Sequence, residues 1–288
     1  MQNISRRLDP IVIISPGRSG STLLQRYLNC GQDAIIWGEH GGFIRGLTGS
    51  YEFLTLPRVQ EMLSEGRKYA PLLLASRVPV NMDIEWTNNF AREDVVRVFR
   101  ELLLSILTID VPASRRWGFK EIRYSHKDLT FLRELFPLLQ YVFMVRNPVD
   151  TLASMIAAWA EDPRLWGKPF RVDKSSQAAR LQEVEQKCGH ILSIVEGIQS
   201  YRDRGEGLLV KYEELTATPL LVLREVCSYL NMLPLADGSI EQVAADVRMS
   251  VQTGGVRKLI QEEMLENEKV KEVVAFYQSF GYQPERLP

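Results

Sequence analysis

Histidine and cysteine are scarce in this chain: three of each in 288 residues. Cys30, Cys188 and Cys227 are odd in number and far apart, with no metal-ligand spacing, so they read as buried free thiols in a reducing compartment. His40, His126 and His190 form no i, i+4 pair with a neighbouring ligand, which argues against a metal site. Long apolar runs are also missing. The longest, such as "PLLLA" (71–75) and "ELLLSIL" (101–107), fall well short of a bilayer span. The N-terminal "MQNISRRLDPIVIIS" has basic residues before an apolar run, but that run is too short for a signal peptide and reads as a strand. An excess of charge of either sign is absent, the net charge being −1, so bulk attraction to nucleic acid or an anionic membrane is excluded. There is no internal repeat, low-complexity tract or Gly/Ser linker, and residues 1–288 are expected to form one domain.

What is present is alternation. β-rich apolar runs at 10–15, 34–37, 116–120, 140–145 and 207–212 are interleaved with helical periodicity at 21–29, 91–109, 127–136, 148–160, 175–203, 219–230 and 266–279. Strands that alternate with helices predict an α/β fold: a central, mostly parallel sheet with helices on both faces. Two stretches do not fit the pattern. Residues 49–90, with Tyr51, Phe53, Tyr69, Trp86 and Phe90, read as a long irregular excursion, and "EDPRLWGKPFRVDKSS" (161–176) as a second. Both are candidates for lids or acceptor walls, and equally for surface decoration. The basic residues Arg164, Lys168, Arg171 and Lys174 in the second suit an acidic acceptor or, more simply, a solvated loop.

The first strand runs into "SPGRSGSTLL" (15–24). Gly17 and Gly20 allow a tight turn, and the helix that starts near Ser21 presents free N–H groups and the positive end of its dipole. Ser19, Ser21 and Thr22 add hydroxyl donors, and Arg18 adds a full charge. This is an anion-binding loop, or else a Gly/Ser turn that merely caps a helix. An ATP-binding loop places a lysine immediately before its Ser/Thr; here Ser21 follows Gly20 and the loop has no lysine. A metal-holding acid after a later strand is also missing, since the strand "YVFMV" leads into Arg146. In "VRNPVDTLAS" (145–154), Asn147 caps a helix that opens with Pro148. Arg146, at the strand's carboxyl end, and Ser154, two turns along, are placed to converge on a second anion.

Together, "PGRSGSTLL" and "RNPVDTLAS" resemble the sulfotransferases that use 3′-phosphoadenylyl sulfate (PAPS), a family with a P-loop-like three-layer α/β fold. The segment "LLVKYEELTATPLLVLREVCSYLNM" (208–232) is similar to the family's Tyr-Glu-(Glu/Asp)-Leu stretch, and the resemblance spans roughly residues 10–232. It implies that Arg18, Ser19, Gly20, Ser21 and Thr22 bind the 5′-phosphosulfate, that Arg146 and Ser154 bind the 3′-phosphate, and that Tyr212 lies against the adenine. Arg257 and Lys258 in "TGGVRKL" (253–259) stand where relatives close a basic loop over the 3′-phosphate, although the residue order differs. No metal is implied: arginine, lysine, hydroxyls and backbone N–H groups stabilise a transferring sulfuryl group without one. The expected product is adenosine 3′,5′-bisphosphate.

Cytosolic members carry a histidine two residues after a lysine on a strand. "WGFKEIRYSH" (117–126) keeps the lysine, Lys120, but has Ile122 at the histidine's place. The tyrosylprotein and bacterial trehalose-type sulfotransferases instead use a glutamate about twenty residues after the first loop. "IIWGEHGGFIRGL" (35–47) supplies Glu39 there, with His40 as a rival. A partly apolar setting beside Trp37 and Phe43 is expected to make Glu39 basic enough to take the acceptor's proton, while Lys120 and Arg18 steady the sulfuryl group. The reading is a PAPS-dependent transferase acting on a carbohydrate, natural-product or other small-molecule hydroxyl. Nothing resembles the membrane anchor of tyrosylprotein-type enzymes, so a cytoplasmic setting is expected. The rival readings are a nucleotide kinase or NTPase with an aberrant loop and a non-catalytic nucleotide-binding protein.

Overall fold

The computed structural model describes residues 9–77, 87–161, 177–246 and 266–283. Five strands form one parallel sheet in the order β2-β3-β1-β4-β5: β1 is Ile11–Ile14, β2 Ala34–Trp37, β3 Arg116–Glu121, β4 Gln140–Val145 and β5 Leu208–Lys211. Parallel neighbours require crossovers, and the helices that provide them cover both faces. The strands are therefore apolar on both sides. Val12, Ile14, Tyr141, Phe143 and Val145 enter one core, and Ile11, Ile13, Val142 and Met144 the other. The period of two divides the central strands β1 and β4 between the cores, while the edge strand β2 leaves Trp37 exposed.

The first core lies under α2 (Phe43–Thr55), α5 (Arg92–Leu107), α6 (His126–Leu135), α7 (Pro148–Glu161), α8 (Gln177–Asp203) and α12 (Glu268–Gln278). The second lies under α1 (Ser21–Asn29), α10 (Pro219–Leu230) and α11 (Asp237–Asp246). Two short helices, α3 (Pro57–Arg67) and α4 (Ala70–Leu74), follow α2, and α9 (Tyr212–Ala217) follows β5 directly. No described helix is long and apolar enough to cross a membrane.

Two expectations need correction. The stretch taken as irregular from residue 49 is largely helical where it is described, because α2, α3 and α4 occupy most of 43–74. Gly46 and Gly49 dilute the periodicity of α2, yet Ile44, Thr48 and Tyr51 fall on one face and are buried. Its packing, not its propensity, makes it a helix. Cys30 is exposed, at the end of α1, whereas Cys188 and Cys227 are buried. The residues 162–176 and 247–265, which include Arg164, Lys168, Arg171, Lys174, Arg257 and Lys258, lie outside the described residues, as does Trp86.

Candidate active site

All the strands point their carboxyl ends at one edge of the sheet, and the register decides which side chains meet there. Trp37 pairs with Phe119, which brings Glu39, two residues past β2, level with the end of β3. Ile14 lies opposite both Glu121 and Phe143, so the first loop leaves the sheet between β3 and β4. Val145 lies opposite Lys211, so Arg146 and Tyr212 emerge side by side.

Gly20 precedes α1 with φ +89, a conformation that side chains rarely adopt. A Cβ there would lie 2.3 Å from the Tyr212 ring, so only glycine fits between the loop and that ring. Arg18 is itself left-handed, with φ +66, and local strain of this kind is typical of loops that hold a ligand. Its Nε donates to Ser154 Oγ at 3.0 Å, and Arg146 Nη1 donates to the Arg18 carbonyl at 3.4 Å. The Arg146 guanidinium lies over the Tyr212 ring, 4.6 Å from its centre. The two loops, expected to grip separate anions, are thus stitched to one another, with the Arg18 side chain on Ser154 and Arg146 on the Arg18 carbonyl.

Asn147 caps α7, its Oδ1 accepting from Val149 N and Asp150 N, as its position before Pro148 predicts. Its own N–H donates to Glu213, whose other oxygen accepts from the Tyr282 hydroxyl. The second loop is therefore tied to α9 and to the chain beyond α12. Among the described residues, the buried Ser15 Oγ, Ser19 Oγ and Arg146 Nε have no hydrogen-bond partner. Buried donors left unmade are costly unless something else takes them. The N–H groups at the start of α1 are likewise outside the helix's own hydrogen bonding, and groups of both kinds can donate to an anion.

On the other side of the edge, Lys120 is buried and donates to Glu39 Oε1 at 2.5 Å. Arg123 reaches the other oxygen of Glu39 at 3.2 Å and Glu121 Oε1 at 2.6 Å. The apolar pocket expected around Glu39 is absent. Trp37 turns its indole N–H to the Leu107 carbonyl, and Phe43 packs edge-on against the ring of His40, leaving two cations on the glutamate. His40 is boxed by Phe43 and Phe119, each 4.8 Å from its ring, with Nδ1 towards Tyr124 Oη at 3.4 Å. Burial lowers its pKa, opposed by the Glu121 carboxylate. Sequence reasoning missed Arg123 and Glu121. The signal was in "KEIR": three charged residues crowd the end of a strand whose neighbours are all apolar. No group of three or more His, Cys, Asp or Glu residues among the described ones is arranged to hold a metal ion.

The model of the Sulfotransferase family matches residues 10–237. This chain belongs to the sulfotransferase family. Carbohydrate sulfotransferase 1 of Danio rerio is 29% identical over 171 residues, covering 56% of this chain and 39% of that protein. The chain thus matches well under half the length of that relative. Among solved structures, the sulfotransferase domain of the Synechococcus PCC 7002 olefin synthase superposes over 96% of this chain and 95% of its own, with a TM-score of 0.51 at 18% identity. Sulfotransferase STF9 from Mycobacterium avium gives 0.51 at 13% identity, over 94% of this chain and 75% of its own. Both likenesses concern the fold.

Proposed function

We infer that this sulfotransferase takes its sulfuryl group from PAPS and delivers it to an acceptor hydroxyl in line, with Glu39 as base. The observation that carries the reading is the Glu39 carboxylate held 2.5 Å from the buried Lys120 ammonium, at the sheet edge where the two donor-rich loops meet. Arg18, Ser19, Gly20, Ser21 and Thr22 would hold the 5′-phosphosulfate, and Arg146, Ser154 and Tyr212 the rest of the nucleotide. The residues fit such a ligand: the buried Ser19 Oγ and Arg146 Nε have no partner among the described residues. The bound donor supplies a sulfuryl group on a phosphate leaving group; the acceptor O–S bond forms as the S–O bond to phosphate breaks.

In that step Glu39 receives the acceptor's proton, and Lys120 places positive charge beside the oxygen that gains negative charge. His40 suits the role less well, because its ring is packed among aromatics and one nitrogen faces Tyr124. The carbohydrate sulfotransferase relative puts sugar hydroxyls first among acceptors to be screened. Replacing Glu39 with Gln is expected to lower kcat by about 10²- to 10⁴-fold, the usual worth of a general base. Affinity for adenosine 3′,5′-bisphosphate should be kept. Full activity in E39Q, followed with radiolabelled PAPS, would remove the role. Stabilisation by ATP·Mg²⁺ but not by adenosine 3′,5′-bisphosphate in thermal unfolding would favour the kinase reading instead.

A further inference from the structure

The end of β3 carries more charge than proton transfer to Glu39 and stabilisation by Lys120 require. Glu121 is fully buried. Its Oε1 accepts from Ile122 N at 2.9 Å and from Arg123 Nη1 at 2.6 Å; its Oε2 accepts from Gly42 N at 3.0 Å and faces His40 Nδ1 at 3.7 Å. With both oxygens occupied and no exposure, Glu121 has nothing left to offer a substrate. Its partner does. Arg123 Nη1 extends from Glu121 to Glu39 Oε2 at 3.2 Å, so a buried carboxylate anchors a guanidinium, which in turn grips the proposed base. The same Glu121 fixes the turn of Gly41 and Gly42, with φ of +72 and +73, through which the Glu39 segment enters α2. A Cβ on Gly42 would stand 3.2 Å from Arg123 Cδ, so the arginine stem packs directly on that turn.

The geometry assigns Arg123 the part of a positioning residue. It holds the Glu39 carboxylate by its second oxygen, so that the base keeps its aim while Lys120 attends to the transferring group. One contact to a carboxylate leaves it free to rotate; contacts to both oxygens fix its plane. Arg123 need not touch donor or acceptor. This assignment rests on Glu39 being the base, and the test separates the two claims.

R123Q, R123K, E39Q and the double variant R123Q/E39Q are compared with the unaltered enzyme. Radiolabelled PAPS turnover is followed with the best acceptor of a panel holding a monosaccharide, a phenol and a primary alcohol, water serving where none reacts. R123Q should lower kcat by about 10- to 10²-fold, the effect of a misplaced reacting group. The KM for PAPS and the Kd for adenosine 3′,5′-bisphosphate should stay within about twofold, and R123K should recover part of the rate. In the E39Q background the same R123Q change should cost less than about twofold, because the residue acts through Glu39. An unchanged kcat in R123Q, or an equal loss in both backgrounds, overturns the assignment while leaving Glu39 in place if E39Q is slow. A fully active E39Q overturns both. Should R123Q not fold because Glu121 loses its partner, R123K decides: a reduced kcat with unchanged nucleotide affinity supports the role, and a wild-type kcat refutes it.

Discussion

Gly20→Ala joins backbone, packing and ligand binding in one substitution. Gly20 has φ +89 and ψ 9, and placing an L-residue in the left-handed region costs about 1–2 kcal/mol. Steric cost adds to this. The new methyl would lie 2.3 Å from Tyr212 Cδ2, 2.8 Å from Cε2 and 3.0 Å from Met144 Cε, so the ring must move. Overpacking of this kind costs about 1–3 kcal/mol, giving a total of about 2–5 kcal/mol. The displaced ring also supports the Arg146 guanidinium 4.6 Å from its centre, so nucleotide affinity should fall by at least about tenfold, or 1.4 kcal/mol. Urea unfolding gives the stability change, and calorimetry with adenosine 3′,5′-bisphosphate gives the affinity. A G20A/Y212A double variant divides the loss: steric cost should vanish with the ring, while the backbone cost of about 1–2 kcal/mol remains. A G20A protein of unchanged stability and affinity refutes the argument, and so does a double variant in which the two losses simply add.

Other expectations follow from burial. Gly118 lies in the middle of β3, where a Cβ would be 2.2 Å from the Ile11 carbonyl oxygen of the adjoining strand; Gly118→Ala should cost at least about 3 kcal/mol in urea, and a loss under about 1 kcal/mol contradicts the packing. Cys30 is exposed, while burial pushes the Cys188 thiol up to about 12 and raises that of Cys227. A thiol reagent should therefore titrate one group quickly in the native protein and three after unfolding, and Cys30→Ser should abolish the fast one. Burial lowers the Lys187 pKa to about 8, with Glu183 opposing, so between there and its ordinary 10.5 the unfolded chain holds more protons. That penalty is fully present below pH 8 and is relieved as pH rises. The stability of wild type relative to Lys187→Met should improve from pH 8 to pH 10 in urea titrations, and a flat difference would sink the assignment.

Much of the site was legible because strand–loop–helix junctions write local chemistry into short stretches. Arg18, Gly20, Arg146 and Asn147 sit at strand ends in the sequence and do so in the fold, since β propensity, turn residues and N-caps act over a few neighbours. Glu39 and Lys120 were found separately, and the register of β2 on β3 brings them together across 81 residues. Arg123 escaped notice because its partners, Glu39 and Glu121, are chosen by packing. α2 was missed for a related reason: its glycines weaken an intrinsic helix signal that burial of Ile44, Thr48 and Tyr51 restores.

The sequence by itself determined a parallel α/β sheet and two arginine-bearing loops at strand–helix junctions, because hydrophobic period, caps and glycine turns are local properties of the chain. Tertiary structure alone decided that Ser154 meets Arg18 rather than Arg146, and that Glu39 lies between two cations rather than in an apolar pocket. It also turned the Trp37 indole N–H to the end of α5. The physical reason is reach. Which charged groups come within 3 Å is set by strand order and register, quantities that no stretch of a few residues encodes.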